Sequence, residues 1–103
     1  MIVSPECYKV FASILNDFGQ ERSEFTFADF VQAAKSIGFN VLDKHEQGLI
    51  PPRRFGNQIF RLMPKNCKMD RVVSADVQDE WKKEFYRLYG WTAYTFRRRQ
   101  RIG

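Results

Sequence analysis

The sequence predicts a mainly α-helical α+β fold: one domain of 103 residues with three to four helices and a small C-terminal β-hairpin. This prediction rests on three observations. Apolar residues recur at helical spacing in separate segments. These segments are flanked by residues that cap or break helices, and the last part of the chain is rich in aromatic and β-branched residues. Hydrophobic residues make up 44% of the chain and aromatic residues 16%, which is enough for a core and argues against disorder.

Two amphipathic segments near the start of the chain predict the first two helices. Ser4 is a suitable N-cap, and the apolar residues after it recur at helical spacing, so a helix is predicted over residues 5–18. Thr26 and Asp29 have the spacing of a capping box before a second apolar stripe. The second helix is therefore predicted over residues 27–37, where a glycine ends the stripe.

The next segment, FNVLDKHEQGLI, is predicted to be connecting structure. It holds a glycine, polar residues and short apolar pieces, so a short strand is possible at residues 40–42 or 49–50. Its spacing resembles a calcium-binding EF-hand loop that starts at Asp43, but Arg54 occupies the position that normally holds a bidentate glutamate. We therefore predict no calcium site in this segment.

The stretch IPPRRFGNQIFRLMPKNCK predicts the third helix, over residues 52–63. At about 100° per residue, its polar and apolar side chains separate onto two faces. The apolar face consists of Phe55, Ile59, Leu62 and Met63. The opposite face holds cations and amides with no acid among them: Arg54, Asn57, Gln58, Arg61 and Lys65. Because an ordinary solvated face mixes glutamate with lysine, this helix is predicted to contact a charged partner.

The last part of the chain predicts a fourth helix and a strand. The run CKMDRVV is expected to be extended, and Ser74 then caps a helix over residues 74–89. The segment WTAYTFRRR predicts a strand of the hairpin, and residues 97–103 form a basic C-terminal end. Aromatic residues of the fourth helix either all pack in the core or leave a patch through which two copies could pair: Trp81, Phe85, Tyr86 and Tyr89.

Charge is distributed unevenly along the chain, whose net charge is +5. Residues 1–50 carry four basic and seven acidic side chains, whereas residues 51–103 carry thirteen basic and five acidic ones. The first half therefore has a net charge of −3 and the second of +8, which predicts one concentrated basic surface. Such a surface attracts polyanions, of which nucleic acid is the commonest. The alternative is a surface on which lysine and arginine only maintain solubility.

Several function classes lack the residues that they need. The chain has one histidine, no glycine-rich phosphate loop and no nucleophile motif, so we expect it not to be an enzyme. Cys7 and Cys67 lack zinc-ligand spacing, so no metal or other cofactor is expected. Their number allows one disulfide, but two reduced thiols are expected in a chain without a secretion signal. No apolar run is long enough to cross a bilayer and the first residues do not resemble a secretion signal, so no membrane contact is expected. The expected location is cytoplasmic, or nucleoid or nuclear if the protein is bound to DNA.

Two stretches resemble a winged-helix DNA-binding domain: FTFADFVQAAKSIGF and IPPRRFGNQIFRLMPKNCKMDRVV. The Arg-Phe-Gly-x-x-Ile core followed by Leu-x-Pro is similar to the recognition helix of the regulatory-factor-X type and of some viral replication proteins. The resemblance covers about half of the chain and implies a winged-helix-like fold, in which helix 52–63 enters the major groove and the following strands contact the backbone or the minor groove.

Together, these patterns predict a double-stranded DNA-binding protein that acts as a regulator or as an accessory factor in replication or recombination. Base contacts are predicted for residue types that read guanine or adenine: Arg54, Asn57, Gln58 and Arg61. Phosphate contacts are predicted for further cations: Arg53, Lys65, Lys68, Arg71, Arg97, Arg98, Arg99 and Arg101. The alternative is a small protein-interaction module, such as a phage- or plasmid-type inhibitor or adaptor, that docks its basic face on an acidic partner. A third possibility is single-stranded nucleic acid or RNA binding through Trp91, Tyr94 and Phe96.

Overall fold

A computed structural model of the chain describes residues 1–15, 23–41, 48–61 and 70–98, which form an α+β domain. Its helices are α1 (Pro5–Leu15), α2 (Phe27–Ser36) and α3 (Ala75–Tyr89). Its strands are β1 (Ile2–Val3), β2 (Asn40–Val41), β3 (Gly48–Ile50), β4 (Phe60–Arg61) and β5 (Arg97–Arg98), and a short 3₁₀ helix covers Arg53–Phe55. Within these ranges, no helix is both long and apolar enough to span a membrane.

Three of the four predicted helices are confirmed, as α1, α2 and α3. The capping box of α2 is present: the Thr26 hydroxyl accepts from the Asp29 N–H at 3.1 Å, and the Asp29 carboxylate accepts from the Thr26 N–H at 3.0 Å. The Ser74 hydroxyl caps α3 by accepting from the Val77 N–H at 3.3 Å. The predicted last turn of the first helix, residues 16–18, lies outside the described residues.

The third predicted helix, over residues 52–63, is wrong for the residues that the structure describes. Only Arg53–Phe55 turn, as a 3₁₀ helix, and the chain then runs out to β4. Gly56 has φ 96° and ψ −155°, a region that glycine nearly alone occupies and through which no α-helix passes. The buried side chain is Phe60, whereas Ile59, which was assigned to the apolar face, is exposed. Pairing of β4 with β3 therefore replaces the helical period by a period of two.

The strands belong to two separate sheets. β2, β3 and β4 form an antiparallel sheet in which Leu49 pairs with Val41 on one side and with Phe60 on the other. The short strands that are possible in the connection are thus present as β2 and β3. β1 and β5 form a parallel pair with Ile2 opposite Arg97. The predicted C-terminal hairpin is therefore wrong, because its strand is limited to β5 and pairs with the start of the chain.

Residues 91–96, predicted to belong to that strand, form a turn instead. The Thr92 carbonyl accepts from the Thr95 N–H at 3.1 Å, and the Thr95 hydroxyl accepts from the Thr92 N–H at 2.8 Å. Threonine side chains thereby engage backbone groups that a sheet partner would need. Trp91 and Phe96, at the two ends of the turn, are buried in the core.

The segment before α3 pairs with the segment before α2. The Val73 N–H donates to the Phe25 carbonyl at 2.9 Å, and the Phe27 N–H donates to the Arg71 carbonyl at 3.0 Å. The extended conformation predicted for CKMDRVV is confirmed at Val72, which forms an antiparallel bridge with Thr26. Asp70 and Arg71 instead lie in a turn and a bend, and residues 67–69 lie outside the described residues.

A cluster of buried aromatic rings joins the helices to β4. Phe30 of α2 has its ring centroid 4.4 Å from that of Trp81 and 5.9 Å from that of Phe11. Phe60 of β4 stacks on Phe85 of α3 with centroids 4.3 Å apart. Large rings contribute most of the apolar area that a small domain can bury. This aromatic cluster is therefore the main source of stability, and it fixes β4 against α3.

A buried polar network lies in the same core. The Gln78 side chain is 2% exposed; its Oε1 accepts from the Ser13 hydroxyl at 2.6 Å and its Nε2 donates to the Val73 carbonyl at 3.2 Å. The Ser13 hydroxyl in turn accepts from the Ser23 N–H at 2.8 Å. Buried polar groups are stable only when they are hydrogen-bonded in this way. The network ties α1 and α3 to the segment before α2.

Candidate nucleic-acid interface

The four residues predicted to contact bases lie on a loop and on the strand that follows it. We call residues 51–59, which join β3 to β4, the basic loop. No acidic residue occurs in the sequence between Glu46 and Asp70. In the described part of that stretch, all arginines are exposed: Arg53, Arg54 and Arg61. This part of the surface therefore carries positive charge without a neighbouring carboxylate in the same segment.

The basic loop rests on aromatic side chains through Phe55. The Phe55 ring stacks on Phe39 with centroids 5.9 Å apart, meets Trp91 edge-on at 5.1 Å and lies 6.3 Å from Tyr89. Phe39 follows the end of α2, while Tyr89 and Trp91 lie at the end of α3. The loop is consequently held against the C-terminal ends of two helices, which are packed into the core.

Arg54 fastens the loop to the end of α2. Its Nη2 donates to the carbonyl of Ile37 at 2.7 Å, and its guanidinium lies 4.9 Å from the centroid of the Phe55 ring. Ile37 is the C-cap residue of α2, and carbonyls at this end of a helix have no partner within the helix. A cation is also favourable there because it faces the negative end of the helix dipole. Arg54 therefore has a structural role, the hydrogen bond to Ile37, in addition to the predicted role in base contacts.

Tyr89 fastens the loop to the end of α3. Its hydroxyl donates to the Gln58 carbonyl at 2.7 Å. Burial raises the pKa of Tyr89 to about 12, so the hydroxyl keeps its proton at neutral pH and remains a donor. The backbone of the loop is therefore fixed at Gln58, while the Gln58 side chain remains exposed.

The outward side chains of the loop and of β4 combine cations with amides. Arg53, Asn57, Gln58 and Arg61 are exposed, and their side chains have no hydrogen-bond or ion-pair partner within the described residues. The guanidinium groups can neutralise phosphates, and the amides can donate to and accept from base edges or phosphate oxygens. The structure thus brings together the predicted base-contacting residues and Arg53, but as a loop and strand rather than as a helix face.

The other predicted phosphate contacts are placed separately or lie outside the described residues. Arg71 is exposed on the segment that pairs with Phe27, and Arg97 is exposed on β5, in the other sheet from Arg61. The backbone of Arg98 belongs to β5, while its side chain falls outside what the structure describes. The remaining cations also fall outside: Lys65, Lys68, Arg99 and Arg101.

Base stacking on Trp91, Tyr94 and Phe96 does not fit the structure. Trp91 and Phe96 are each 4% exposed and pack against each other edge-on, with centroids 5.0 Å apart. Only Tyr94 among the three is open to solvent. The hypothesis of single-stranded binding through these rings is therefore wrong, because stacking on two of them would require the core to open.

The aromatic residues of α3 mostly face inward. Trp81 and Phe85 are buried and Tyr89 is half-buried, whereas Tyr86 is 66% exposed. Pairing of two copies through residues 74–89 stays a prediction, with a single exposed ring among these four to support it.

A cleft of about 320 Å³ lies between α1 and α2. Its rim includes Glu6, Glu24 and Asp29 but only one cation, Lys9, which suits it poorly to a polyanion. Cys7 at its floor is a free, buried thiol, and burial raises its pKa. Within the described residues, no group of three or more histidine, cysteine or carboxylate side chains could hold a metal ion.

Sequence reasoning missed the residues that hold the basic loop from beneath. Tyr89 is 31 positions from Gln58, and Ile37 is 17 positions from Arg54, so no local pattern links them. One local signal was available, because a Gly-Asn pair at Gly56 is typical of a hairpin connection rather than of a helix interior.

Comparisons of the chain with protein-family models, with curated proteins and with solved structures find no match. The interface is therefore interpreted from its own geometry.

Proposed function

We propose that the protein binds double-stranded DNA through the basic loop and β4, as a non-enzymatic regulator or accessory factor in replication or recombination. The observation that carries this proposal is a set of exposed cations and amides whose side chains have no partner among the described residues, on a segment whose sequence lacks acids. Lysine and arginine that neutralise phosphates release condensed counterions, which favours binding and makes it dependent on salt. The high positive charge of residues 51–103 supplies the same driving force.

The geometry supports entry of a β-ribbon rather than of a helix into the major groove. That groove accepts a two-stranded ribbon as well as an α-helix. β3 and β4 are antiparallel, and the basic loop is the connection at the end of that ribbon. Asn57, Gln58 and Arg61 are the candidates for base contacts, while Arg53 is the candidate for a phosphate contact.

A second candidate function is docking on an acidic protein partner, and a specific observation favours it. Ile59 lies within the basic loop and Ile50 ends β3, and both are exposed, at 37% and 38%. Exposed apolar side chains between cations gain little from phosphates, but they suit a protein interface, where arginine and apolar residues are combined. The two functions can be separated by their dependence on these isoleucines.

The test of the first function is a titration of random-sequence duplex DNA at about 50 and about 200 mM salt. The variant Arg53→Ala/Arg61→Ala is compared with the control Lys83→Ala/Arg87→Ala. The control removes the same charge from α3, where Lys83 and Arg87 are paired with Glu80 and Glu84 at 3.8 and 2.8 Å. Loss of the phosphate contact of Arg53 and of the positive charge of Arg61 should lower the salt slope by about one to two in the first variant and by little in the control.

Equal losses of DNA affinity in both double variants would show that affinity depends on net charge and not on the position of the charges in the basic loop. Absence of wild-type binding at low salt would refute DNA binding. Ile59→Ser separates the two functions, because Ile59 is exposed within the basic loop. It should leave DNA affinity nearly unchanged if the ligand is DNA, and it should weaken binding to an acidic protein if the ligand is a protein.

A further inference from the structure

The inner side of the basic loop contacts the rest of the protein, and its outer side is exposed to solvent. On the inner side, Arg54 bonds to the carbonyl of Ile37, and the Phe55 ring packs on buried rings. A few residues later, the Gln58 carbonyl accepts from the Tyr89 hydroxyl. The segment from Arg54 to Gln58 is therefore fixed near both of its ends. Its outward side chains project from the backbone between these two fixed points.

Fixing a loop in advance changes the free energy of binding. A mobile loop loses conformational freedom when it binds, at a cost of about 0.5–1.5 kcal/mol for each side chain that becomes immobilised. A loop that is already fixed in the folded protein avoids part of this cost. The hydrogen bonds to Ile37 and Gln58 should thus contribute to affinity without touching a ligand.

Arg54 can hold the loop and bind an anion at the same time. A guanidinium has five N–H donors, and the bond to Ile37 uses one of them. Arg54 is exposed, so other donors of the group face solvent. Because Phe55 and Ile37 fix the plane of this guanidinium, it is oriented before a ligand arrives, as bidentate recognition of a phosphate requires. Lysine has the same charge but lacks this planar, forked geometry.

Tyr89 reaches the loop from the side that faces the protein. It is the last residue of α3, it is half-buried, and its ring contacts Phe39, Phe55 and Trp91. Replacement by phenylalanine would retain the ring packing and remove only the hydroxyl. The exposed side chains and their charge would stay the same.

We propose that the basic loop is a preformed binding site for the phosphodiester backbone, in which Arg54 presents an oriented guanidinium and Tyr89 is a positioning residue that contacts no ligand. This inference rests on the proposed function, because it specifies how the same surface gains its affinity. Under this proposal, the Tyr89 hydroxyl contributes to DNA affinity although it lies on the inner side of the loop.

The experiment measures duplex DNA affinity and its salt slope for wild type, Tyr89→Phe, Arg54→Lys and the control Arg87→Lys, which places the same substitution on α3. Tyr89→Phe should weaken binding about fivefold with an unchanged salt slope, because the loop becomes mobile while the number of phosphate contacts is retained. Arg54→Lys should weaken binding by about tenfold, again at an unchanged slope, because charge is kept and geometry is lost. Arg87→Lys should bind within about twofold of wild type, since Arg87 lies on α3, outside the basic loop, and its charge is kept.

Thermal unfolding of each variant separates a loop effect from a folding effect. Wild-type affinity in Tyr89→Phe, with wild-type binding itself intact, would overturn the inference and leave the proposed function standing. Equal effects of Arg87→Lys and Arg54→Lys on DNA affinity would overturn the proposal that Arg54 presents an oriented guanidinium. No binding by any protein, wild type included, would refute the proposed function instead.

Discussion

In the aromatic cluster, large side chains face inward and fix the backbone of α1, α2, α3 and β4 by packing. In the basic loop the arrangement is reversed, because hydrogen bonds from Arg54 and Tyr89 fix the backbone and the polar side chains face outward. The loop nevertheless depends on the cluster, since Phe55 packs on Trp91, whose ring stacks on Phe85. Stability therefore comes mainly from the buried rings, whereas binding depends on the exposed side chains of the basic loop. The contacts of Phe55 with Trp91 and of Trp91 with Phe85 join the two regions.

The largest effect is expected from the centre of the aromatic cluster. Phe30 is 0% exposed and its ring lies against Phe11, Phe60 and Trp81. Phe30→Ala should lower the free energy of unfolding by about 3–5 kcal/mol, because a large cavity replaces the ring. Denaturant unfolding followed by circular dichroism measures this loss.

The matched variant in the basic loop is Phe55→Ala. The Phe55 ring is only half-buried. Phe55→Ala should lower the free energy of unfolding by less than half as much as Phe30→Ala does. It should nevertheless weaken DNA binding at a temperature where the protein is fully folded. A larger loss of stability from Phe55→Ala than from Phe30→Ala would contradict the division between the cluster and the loop.

The next largest effect is expected from the buried polar network. Gln78→Leu keeps the volume of the side chain but removes the donor to the Val73 carbonyl and the acceptor of the Ser13 hydrogen bond. We expect a loss of about 2 kcal/mol, because the Val73 carbonyl loses its amide partner in a buried position. Chemical denaturation measures the change. Gln32→Leu is the control: it places the same substitution on an exposed position of α2 and should change stability very little.

An intermediate effect is expected at the turn of the basic loop. Gly56→Ala places a side chain at φ 96° and ψ −155°, which should cost about 1.5 kcal/mol of backbone strain. No atom lies within 4 Å of the added Cβ, so a steric clash does not contribute. The melting temperature measures the loss. Gly90→Asn at the end of α3, with φ 70° and ψ 23°, should be milder because asparagine tolerates this left-handed region.

The smallest effect is expected from the titration of Tyr89. Its pKa in the folded protein, about 12, lies above its ordinary value of 10.0. Below pH 10 both the folded and the unfolded chain hold this proton, so its contribution to stability is complete. As the pH rises from 10 towards 12 the unfolded chain releases the proton first, and this contribution is lost. Unfolding measured against pH should therefore show a stability difference between wild type and Tyr89→Phe that shrinks over this interval; a constant difference would contradict the burial of the hydroxyl.

The helices were predictable because their signals are local. Thr26 and Asp29 form the predicted capping box, and Ser74 caps α3 as its sequence position indicates. In each case a few neighbouring residues determine both the start of the helix and its apolar face. The α+β class follows from these helices and from the short strands beside the connection.

The conformation of the candidate site was predicted wrongly because its decisive contacts are not local. Residues 52–63 have a helical spacing of polar side chains, but Phe60 pairs with Leu49 and stacks on Phe85. Burial of this ring against α3 and the backbone of Gly56 outweigh the weak preference for a helix. Arg54, Asn57, Gln58 and Arg61 were nevertheless identified as outward-facing, since each of them is exposed in the structure.

The pairing of β1 with β5 has a consequence for how the chain folds. The Met1 carbonyl accepts from the Arg97 N–H at 2.7 Å, and the N-terminal ammonium donates to the Thr95 carbonyl across a sequence separation of 94 residues. The entropy lost on closing a loop grows with its length, and contacts of long sequence separation slow folding. We therefore expect the helices to assemble before this pair closes, with the pairing of β1 and β5 as a late step of folding. In pulse-labelled hydrogen exchange during refolding, the Arg97 amide should gain protection after the amides of α2.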